Sequence, residues 1–115
     1  MLPKQRKLSR TSFPHNKDTR RLWDGNVLRI QMYLSNKRPL VAHFAVVVAG
    51  RLSNNAVMRN KFKRQVLVSI RKNLVLFDRL PYKKYVIFPK IHLQNINSGQ
   101  VSGDIRSFFA AHKTQ

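Results

Sequence analysis

Hydrophobic positions between residues 27 and 48 follow the pattern of two β-strands. Over residues 27–34, one side of the alternation carries Leu28, Ile30, Met32 and Leu34, and the other carries Val27, Arg29, Gln31 and Tyr33. A period of two over eight residues predicts a strand with one buried face. Residues 41–48 are more continuously apolar, which predicts a second strand at the centre of the sheet.

The spacing of apolar residues becomes that of a helix after residue 55. Apolar side chains recur at spacings of four, four, four and three, at Phe62, Val66, Ile70, Leu74 and Phe77. This stripe predicts a helix over residues 56–77. The candidate N-caps are Ser53, Asn54 and Asn55. Pro81 prevents the helix from continuing.

The last part of the chain predicts one more strand and one more helix. Residues 85–88 form a short apolar strand that Pro89 closes. An amphipathic helix over residues 98–112 is predicted by the apolar positions Val101, Ile105, Phe108, Phe109 and His112. Ser98 or Ser102 would cap it, and Gly103 weakens its first turn.

Residues 1–25 differ from the rest, since Pro3, Pro14 and Gly25 interrupt them, and we interpret them as a basic N-terminal arm with a short helix. The resulting order is arm or helix, strand, strand, helix, strand, helix, and it leaves room for one further strand. It predicts an α+β fold, a small two-layer α–β sandwich. The length suits one domain over residues 1–115.

The charge of the chain limits the classes of partner and of chemistry that are expected. The chain has 23 Lys and Arg against four acidic residues and no Glu, for a net charge of +19. Mutual repulsion of these charges destabilises the compact state, so a polyanionic partner is expected. Nucleic acid is the leading candidate, and an anionic membrane surface is the second. Without cysteine, thiolate chemistry is excluded. The scattered aspartates and the isolated His15, His43, His92 and His112 give no pattern for a two-metal or zinc site.

The start of the central helix is cationic. Five of its six residues from Arg59 to Arg64 are basic or carry an amide. On a helical wheel, Arg59 and Lys63 fall on the core side, where two unpaired cations cannot be buried. Basic residues at a helix start also oppose the macrodipole. A polyphosphate would relieve both penalties, and the alternative is an ordinary solvated charged face.

The residues around this helix start resemble a known family signature. Ala56-Val57-Met58-Arg59-Asn60-Lys61-Phe62-Lys63-Arg64 closely resembles that of the protein subunit of bacterial ribonuclease P. The basic-Leu pair Lys7-Leu8 followed by Phe13, and the strand from Lys84 to Lys90, are also similar to that family. Two departures are Lys61, where the family has a second arginine, and the reduced basic pair Gly50-Arg51.

The resemblance implies a left-handed βαβ crossover around the basic helix and an RNA subunit that is the catalyst, so no catalytic side chain is expected in the protein. Contacts to the RNA subunit are implied for Arg51, Arg59, Asn60, Lys61, Lys63, Arg64 and Arg71. The 5′ leader of precursor tRNA would lie in a cleft lined by Phe13, Arg29, Gln31 and Tyr33. The outward strand face independently suits single-stranded RNA, which needs rings for stacking and cations along its backbone. Alternatively, Tyr33 is an ordinary exposed strand residue and Phe13 a core residue. As a hypothesis, Trp23 is a further aromatic residue that binds the leader.

The sequence therefore predicts an RNA-binding protein subunit of ribonuclease P that assists a catalytic RNA in endonucleolytic removal of the 5′ leader from precursor tRNA. We expect a cytoplasmic protein, monomeric within the complex, without membrane or small-molecule partners. No cofactor is expected on its own side chains, and Mg²⁺ is expected in the RNA–protein complex. The alternatives are a ribosomal or RNA-chaperone-like basic protein, and a protein-only nuclease acting through histidine.

Overall fold

The computed structural model describes residues 20–34, 42–48 and 55–112. It contains four strands: β1 (Arg20–Asp24), β2 (Leu28–Leu34), β3 (His43–Val46) and β4 (Tyr82–Pro89). The helices are α1 (Ala56–Lys72), α2 (Leu74–Arg79) and α3 (Ser98–Ala111), with a short 3-10 turn over Leu93–Asn95. The strands form one mixed sheet, and side chains of all three helices share one hydrophobic core with it. The predicted α+β fold is thus confirmed.

The order of the sheet is β1-β2-β4-β3. β2 pairs antiparallel with both β1 and β4, whereas β3 runs parallel to β4, with α1 and α2 in the connection between them. This connection is the expected βαβ crossover, and its left-handed sense stays a prediction. The prediction that residues 41–48 form the central strand is wrong, because β3 lies at the end of the described sheet. Its side chains beyond Phe44 are only half-buried, whereas β2 and β4 supply the fully buried positions.

The further strand for which the sequence left room is β1. It occupies residues 20–24, which we expected to be part of an irregular arm, so that expectation is wrong for these five residues. The register sets Trp23 opposite Ile30, on the core side, where the indole meets the ring of Phe108 edge-on at 5.5 Å. Trp23 is therefore part of the packing and does not face a leader cleft. Residues 1–19, with Phe13 and the predicted short helix, lie outside the described residues.

The central helix begins where the sequence predicts. The side chain of Asn55 caps it by accepting hydrogen bonds from the backbone N–H groups of Val57 and Met58, at 2.9 and 3.3 Å. The predicted helix over residues 56–77 is in fact two helices that meet at Asn73, where the side-chain amide donates to the carbonyl of Ser69 at 2.7 Å. This local hydrogen bond competes with the helical ladder.

The last strand and helix agree with the prediction apart from their ends. β4 runs from Tyr82 to Pro89 and is longer than the predicted residues 85–88. The cap of α3 is Asn97 and not Ser98 or Ser102. Its side chain accepts from Gln100 N at 2.9 Å, and the Gln100 side chain accepts from Asn97 N at 2.8 Å. This reciprocal capping box satisfies two backbone groups that the helix itself leaves unpaired.

Aromatic rings dominate the part of the core where sheet and helices meet. Phe77 lies at the centre, with ring centroids of Phe44, Tyr85 and Phe108 at 4.9, 5.0 and 5.8 Å. The Tyr85 side chain is fully buried, and its hydroxyl has no hydrogen-bond partner within the described part of the chain. Burial raises the pKa of this phenol far above its ordinary value, with smaller contributions from Asp78 and Tyr82.

Candidate nucleic-acid interface

The first two turns of α1 present their cations to solvent. Asn60, Lys61, Lys63 and Arg64 are exposed and Arg59 is partly exposed, whereas Phe62 between them is buried in the core. Lys63 and Arg59 fall on the core side of a helical wheel, yet both side chains reach the surface. The two cations are therefore not buried, and the start of α1 carries a compact cationic surface.

The cations continue along the helix. Residues one turn apart are neighbours on a helix surface, so Asn60 and Arg64 are adjacent, and Arg71 lies on the same flank about two turns further on. Arg71 is exposed. A helix of 17 residues is about 25 Å long. The flank therefore offers a strip that several consecutive backbone phosphates could follow. Arg51, the remaining predicted member, lies outside the described residues.

Three aspartates lie in the described ranges, and each has a partner inside the fold. Asp24 accepts from the Arg29 guanidinium at 2.7 Å, and Asp78 accepts from the backbone N–H of Ala42 at 2.8 Å. Asp104 accepts from three backbone N–H groups at the β1–β2 turn. The first turn of α1 contains no acidic residue. The cationic strip is therefore available to a polyanion.

A second polar surface lies on the sheet face opposite the core, which we call the outer face. The predicted residues Arg29, Gln31 and Tyr33 occupy it, since Leu28, Ile30 and Met32 are buried on the other side of β2. The register of β4 sets Phe88 opposite Arg29, Val86 opposite Gln31 and Lys84 opposite Tyr33. Lys84 and Phe88 were not predicted as members of this surface. Residues 85–88 are continuously apolar, so only the register between β2 and β4 assigns Lys84 and Phe88 to this face.

The outer face is more closed than we expected. Tyr33 lies on the predicted face, but it is only 6% exposed, whereas base stacking would need an accessible ring. Its hydroxyl donates to Oε1 of Gln31 at 2.8 Å. Arg29 is exposed and paired with Asp24, and its hydrogen bond lowers the pKa of the Asp24 carboxyl. The accessible groups of this face thus include the exposed Arg29 and the half-buried Gln31, Lys84 and Phe88.

The histidines His43 and His112 lie in different environments. His43 lies opposite Lys84 and is half-buried, so it belongs to the outer face and not to the core. His112 does extend the apolar stripe of α3, because its ring packs 4.5 Å from that of Phe108. Over the described ranges, no three His, Asp or Glu side chains come together as metal ligands.

The molecule is thus a basic α+β protein whose cations gather at the start of the helix in a βαβ crossover. A protein-family model described as Ribonuclease P matches residues 2–113, and the chain therefore belongs to the ribonuclease P protein family. This family is named for an endoribonuclease of tRNA processing. A search of curated protein sequences finds no match.

Solved structures show the same fold. The RNase P protein of Staphylococcus aureus superimposes with a TM-score of 0.65 at 17% identity, covering 82% of each chain. The RNase P protein of Thermotoga maritima, solved in complex with 1-(4-fluorophenyl)-2-thiourea, gives 0.63 at 17% identity, covering 77% of this chain and 82% of that one. Within the described ranges, no helix has the length and apolarity that a membrane span needs.

Proposed function

We propose that this protein is the RNA-binding subunit of ribonuclease P and assists a catalytic RNA in the endonucleolytic removal of the 5′ leader from precursor tRNA. The observation that carries the proposal is the exposed cationic start of α1 within a chain that belongs to this family. The protein would act in the cytoplasm, as a monomer within the RNA–protein complex.

The cationic strip of α1 would bind the phosphate backbone of the catalytic RNA. Its proposed contact residues are Arg59, Asn60, Lys61, Lys63, Arg64 and Arg71, and Arg51, which precedes α1 in the chain, is proposed as a further contact. Each cation that meets a phosphate releases condensed counterions, which gives affinity and salt dependence without sequence readout. The arginines would bind phosphate through two parallel hydrogen bonds, whereas Lys61 acts as a point charge.

The outer face of the sheet would bind the leader. Arg29 would exchange the carboxylate of Asp24 for a leader phosphate, and a base would stack on the accessible part of Phe88 or on Phe13. Tyr33 would hold the Gln31 amide in place through its hydroxyl, and its ring would stack only if the outer face opens. A cationic track with interleaved rings is the usual surface for single-stranded RNA.

The chemical step would belong to the RNA, with Mg²⁺ held by RNA phosphates. A chain of charge +19 repels divalent cations. Its own contribution would be to reduce the electrostatic repulsion between the catalytic RNA and the substrate RNA. The protein should then be most needed at low Mg²⁺ and low salt, because screening shortens to about 3 Å near 1 M salt.

The test compares two triple variants of equal charge in RNA-subunit binding over a salt series. One variant combines Arg59→Ala, Lys63→Ala and Arg64→Ala, and the control combines Lys72→Ala, Arg79→Ala and Arg106→Ala. Each lost phosphate contact should lower the log–log salt slope by about 0.7 to 0.9 in the first variant. The control should stay close to the wild type. An unchanged affinity and salt slope in a folded first variant would contradict the assignment. A control variant that loses as much affinity as the first variant would contradict it as well.

The alternatives predict different partners. A ribosomal or chaperone-like protein would bind many RNAs with equal affinity, whereas this proposal requires preference for one structured RNA that cleaves precursor tRNA. A protein-only nuclease would cleave precursor tRNA without an RNA subunit. Sequencing the RNA that co-purifies with the protein, and assaying the protein alone, separates the three.

A further inference from the structure

A groove of about 410 Å³ lies between α2 and the C-terminal end of α3, and its lining shares no residue with the two surfaces described above. Its lining combines apolar and cationic side chains: Leu76, Leu80, Phe109, Ala110, Arg79, Arg106 and His112. Both arginines are exposed, whereas Leu80 is buried. No acidic residue of the described ranges lines the groove. It therefore offers an apolar floor with two guanidinium groups at its rim.

We propose that this groove docks a short segment of a partner protein that carries apolar side chains next to carboxylates. Charge complementarity selects the acidic partner, since an arginine guanidinium pairs with a carboxylate through two parallel hydrogen bonds. The volume lies near the lower end of the usual range for binding pockets, about 300 to 1,000 Å³. A segment of a few residues suits this size better than a folded surface does.

The apolar part of the lining favours a protein partner over RNA. Leu76, which lines the groove, is 41% exposed, and Val75, the residue before it in α2, is 65% exposed. Accessible aliphatic side chains are typical of protein contacts, whereas unpaired bases stack on accessible aromatic rings.

The two rings of the lining are already engaged in the core. Phe109 packs edge-on against Phe77 and Phe108 at 4.6 and 5.2 Å, and His112 packs on Phe108. The Nδ1–H of His112 donates to the carbonyl of Phe108 at 2.9 Å, which fixes the orientation of its ring. Core contacts therefore hold both rings in place, so neither is as accessible to a base as a free aromatic side chain.

A second copy of this chain would be a poor occupant. The chain carries 23 basic and only four acidic residues, so self-association at an arginine-lined groove brings like charges together. The groove is lined by residues of α2 and of the end of α3, which follow α1 in the chain, whereas the cationic cluster lies at the start of α1. A peptide in the groove and an RNA at the start of α1 could thus be bound at the same time.

The test uses the full chain and a short fluorescein-labelled peptide of alternating leucine and glutamate, with binding followed by fluorescence anisotropy. The groove variant combines Arg79→Gln with Arg106→Gln, and its matched control combines Lys72→Gln with Lys90→Gln, which removes the same charge elsewhere. We expect the groove variant to weaken binding by about tenfold and the control by less than about twofold. Ala110→Phe, which fills the groove without changing the charge, should weaken it as well.

Four outcomes would overturn the proposal. A peptide with glutamine in place of glutamate could bind equally well, or the control variant could lose as much affinity as the groove variant. Ala110→Phe could leave binding unchanged in a protein whose thermal unfolding is normal. A single-stranded RNA oligonucleotide could displace the peptide from the wild type but not bind the groove variant, which would make the groove an RNA site.

Discussion

The carboxylate of Asp104, in the last helix, accepts a hydrogen bond from the backbone N–H of Val27 at 2.8 Å, across 77 residues of chain. It also accepts from Leu28 and Asn26 at 2.9 and 3.0 Å, and the side chain is 3% exposed. One buried carboxylate thus satisfies three N–H groups of the β1–β2 turn and fastens this turn to α3. In the sequence, Asp104 is merely one of four scattered acids.

Asp104→Asn should destabilise the protein strongly. The amide cannot accept three hydrogen bonds as a carboxylate does, and its NH₂ group would face N–H donors. We expect a loss of about 3 kcal/mol in the free energy of unfolding, measured by urea denaturation. Asp24→Asn is the matched control, since that carboxylate is exposed. Equal effects of the two substitutions would show that the three hydrogen bonds contribute little.

Two glycines should respond in opposite directions to alanine. A Cβ at Gly103 meets no atom within 4 Å, so Gly103→Ala should stabilise α3 by about 0.5 to 1 kcal/mol through helix propensity. A Cβ at Gly25 would lie 2.5 Å from Oδ2 of Asp104 and 2.7 Å from Cη2 of Trp23. Gly25→Ala should therefore lower the melting temperature. A change of the same sign in both variants would contradict this geometry.

Tyr85→Phe should be tolerated and should remove one source of alkaline instability. The buried hydroxyl lacks a partner among the described residues, so its removal should leave the stability unchanged or raise it by about 1 kcal/mol. The folded-state pKa of Tyr85 is raised, so the stabilisation is complete below the unfolded pKa of about 10 and declines as the pH rises above it. The variant should lose less stability than the wild type in urea titrations above that pH.

The pairing of Arg29 with Asp24 should be visible in a carboxyl titration. The Asp24 pKa lies below its ordinary value of 3.8 because the guanidinium donates to the carboxylate. Any stability from this pair is therefore present above 3.8 and lost as the pH falls through the folded-state pKa. In Arg29→Gln the NMR-measured pKa of Asp24 should rise towards 3.8. An unchanged value would mean that the pair does not persist in solution.

The proposed leader site should distinguish leader-bearing precursor from mature tRNA. Phe88→Ala should weaken precursor binding by about 1 to 3 kcal/mol through lost base stacking, with little effect on mature tRNA. Tyr33→Ala should weaken precursor binding as well, since it frees the Gln31 amide. Tyr33→Phe keeps the ring and loses the hydrogen bond to Gln31, so an affinity equal to that of the wild type would show that the hydroxyl has no role in leader binding. If both RNAs weaken together in a folded Tyr33→Ala variant, Tyr33 has a structural role.

Local patterns predicted the helical layer well. The apolar stripe from Phe62 to Phe77 and the cap at Asn55 each depend on neighbours within one or two turns, and both are confirmed. The break at Asn73 was missed because the stripe continues in phase through Leu74 and Phe77. In the structure, the break is marked by the hydrogen bond of the Asn73 side chain to the carbonyl of Ser69 and by that of its backbone N–H to the carbonyl of Ile70.

Pairing between strands that are distant in the chain determined the features of the sheet that the sequence could not predict. β1 is polar along most of its length, and it forms because β2 offers a complementary edge. The position of β3 follows from its pairing with β4, which lies beyond two helices in the chain. The cations of the candidate site were predicted because solvated charge is visible in sequence. The contribution of Lys84 and Phe88 needed the register between β2 and β4.

The parallel pairing of β3 with β4 has a consequence for how the chain folds during synthesis. His43 pairs with Lys84 and Val46 with Ile87, so β3 has no described neighbour until about forty further residues have been made. Non-local contacts of this kind slow folding, because loop closure must precede pairing. The basic segment of α1 therefore leaves the ribosome before the sheet that supports it can assemble. A growing chain would expose its most cationic stretch unfolded, and its first encounter with a polyanion could precede its native structure.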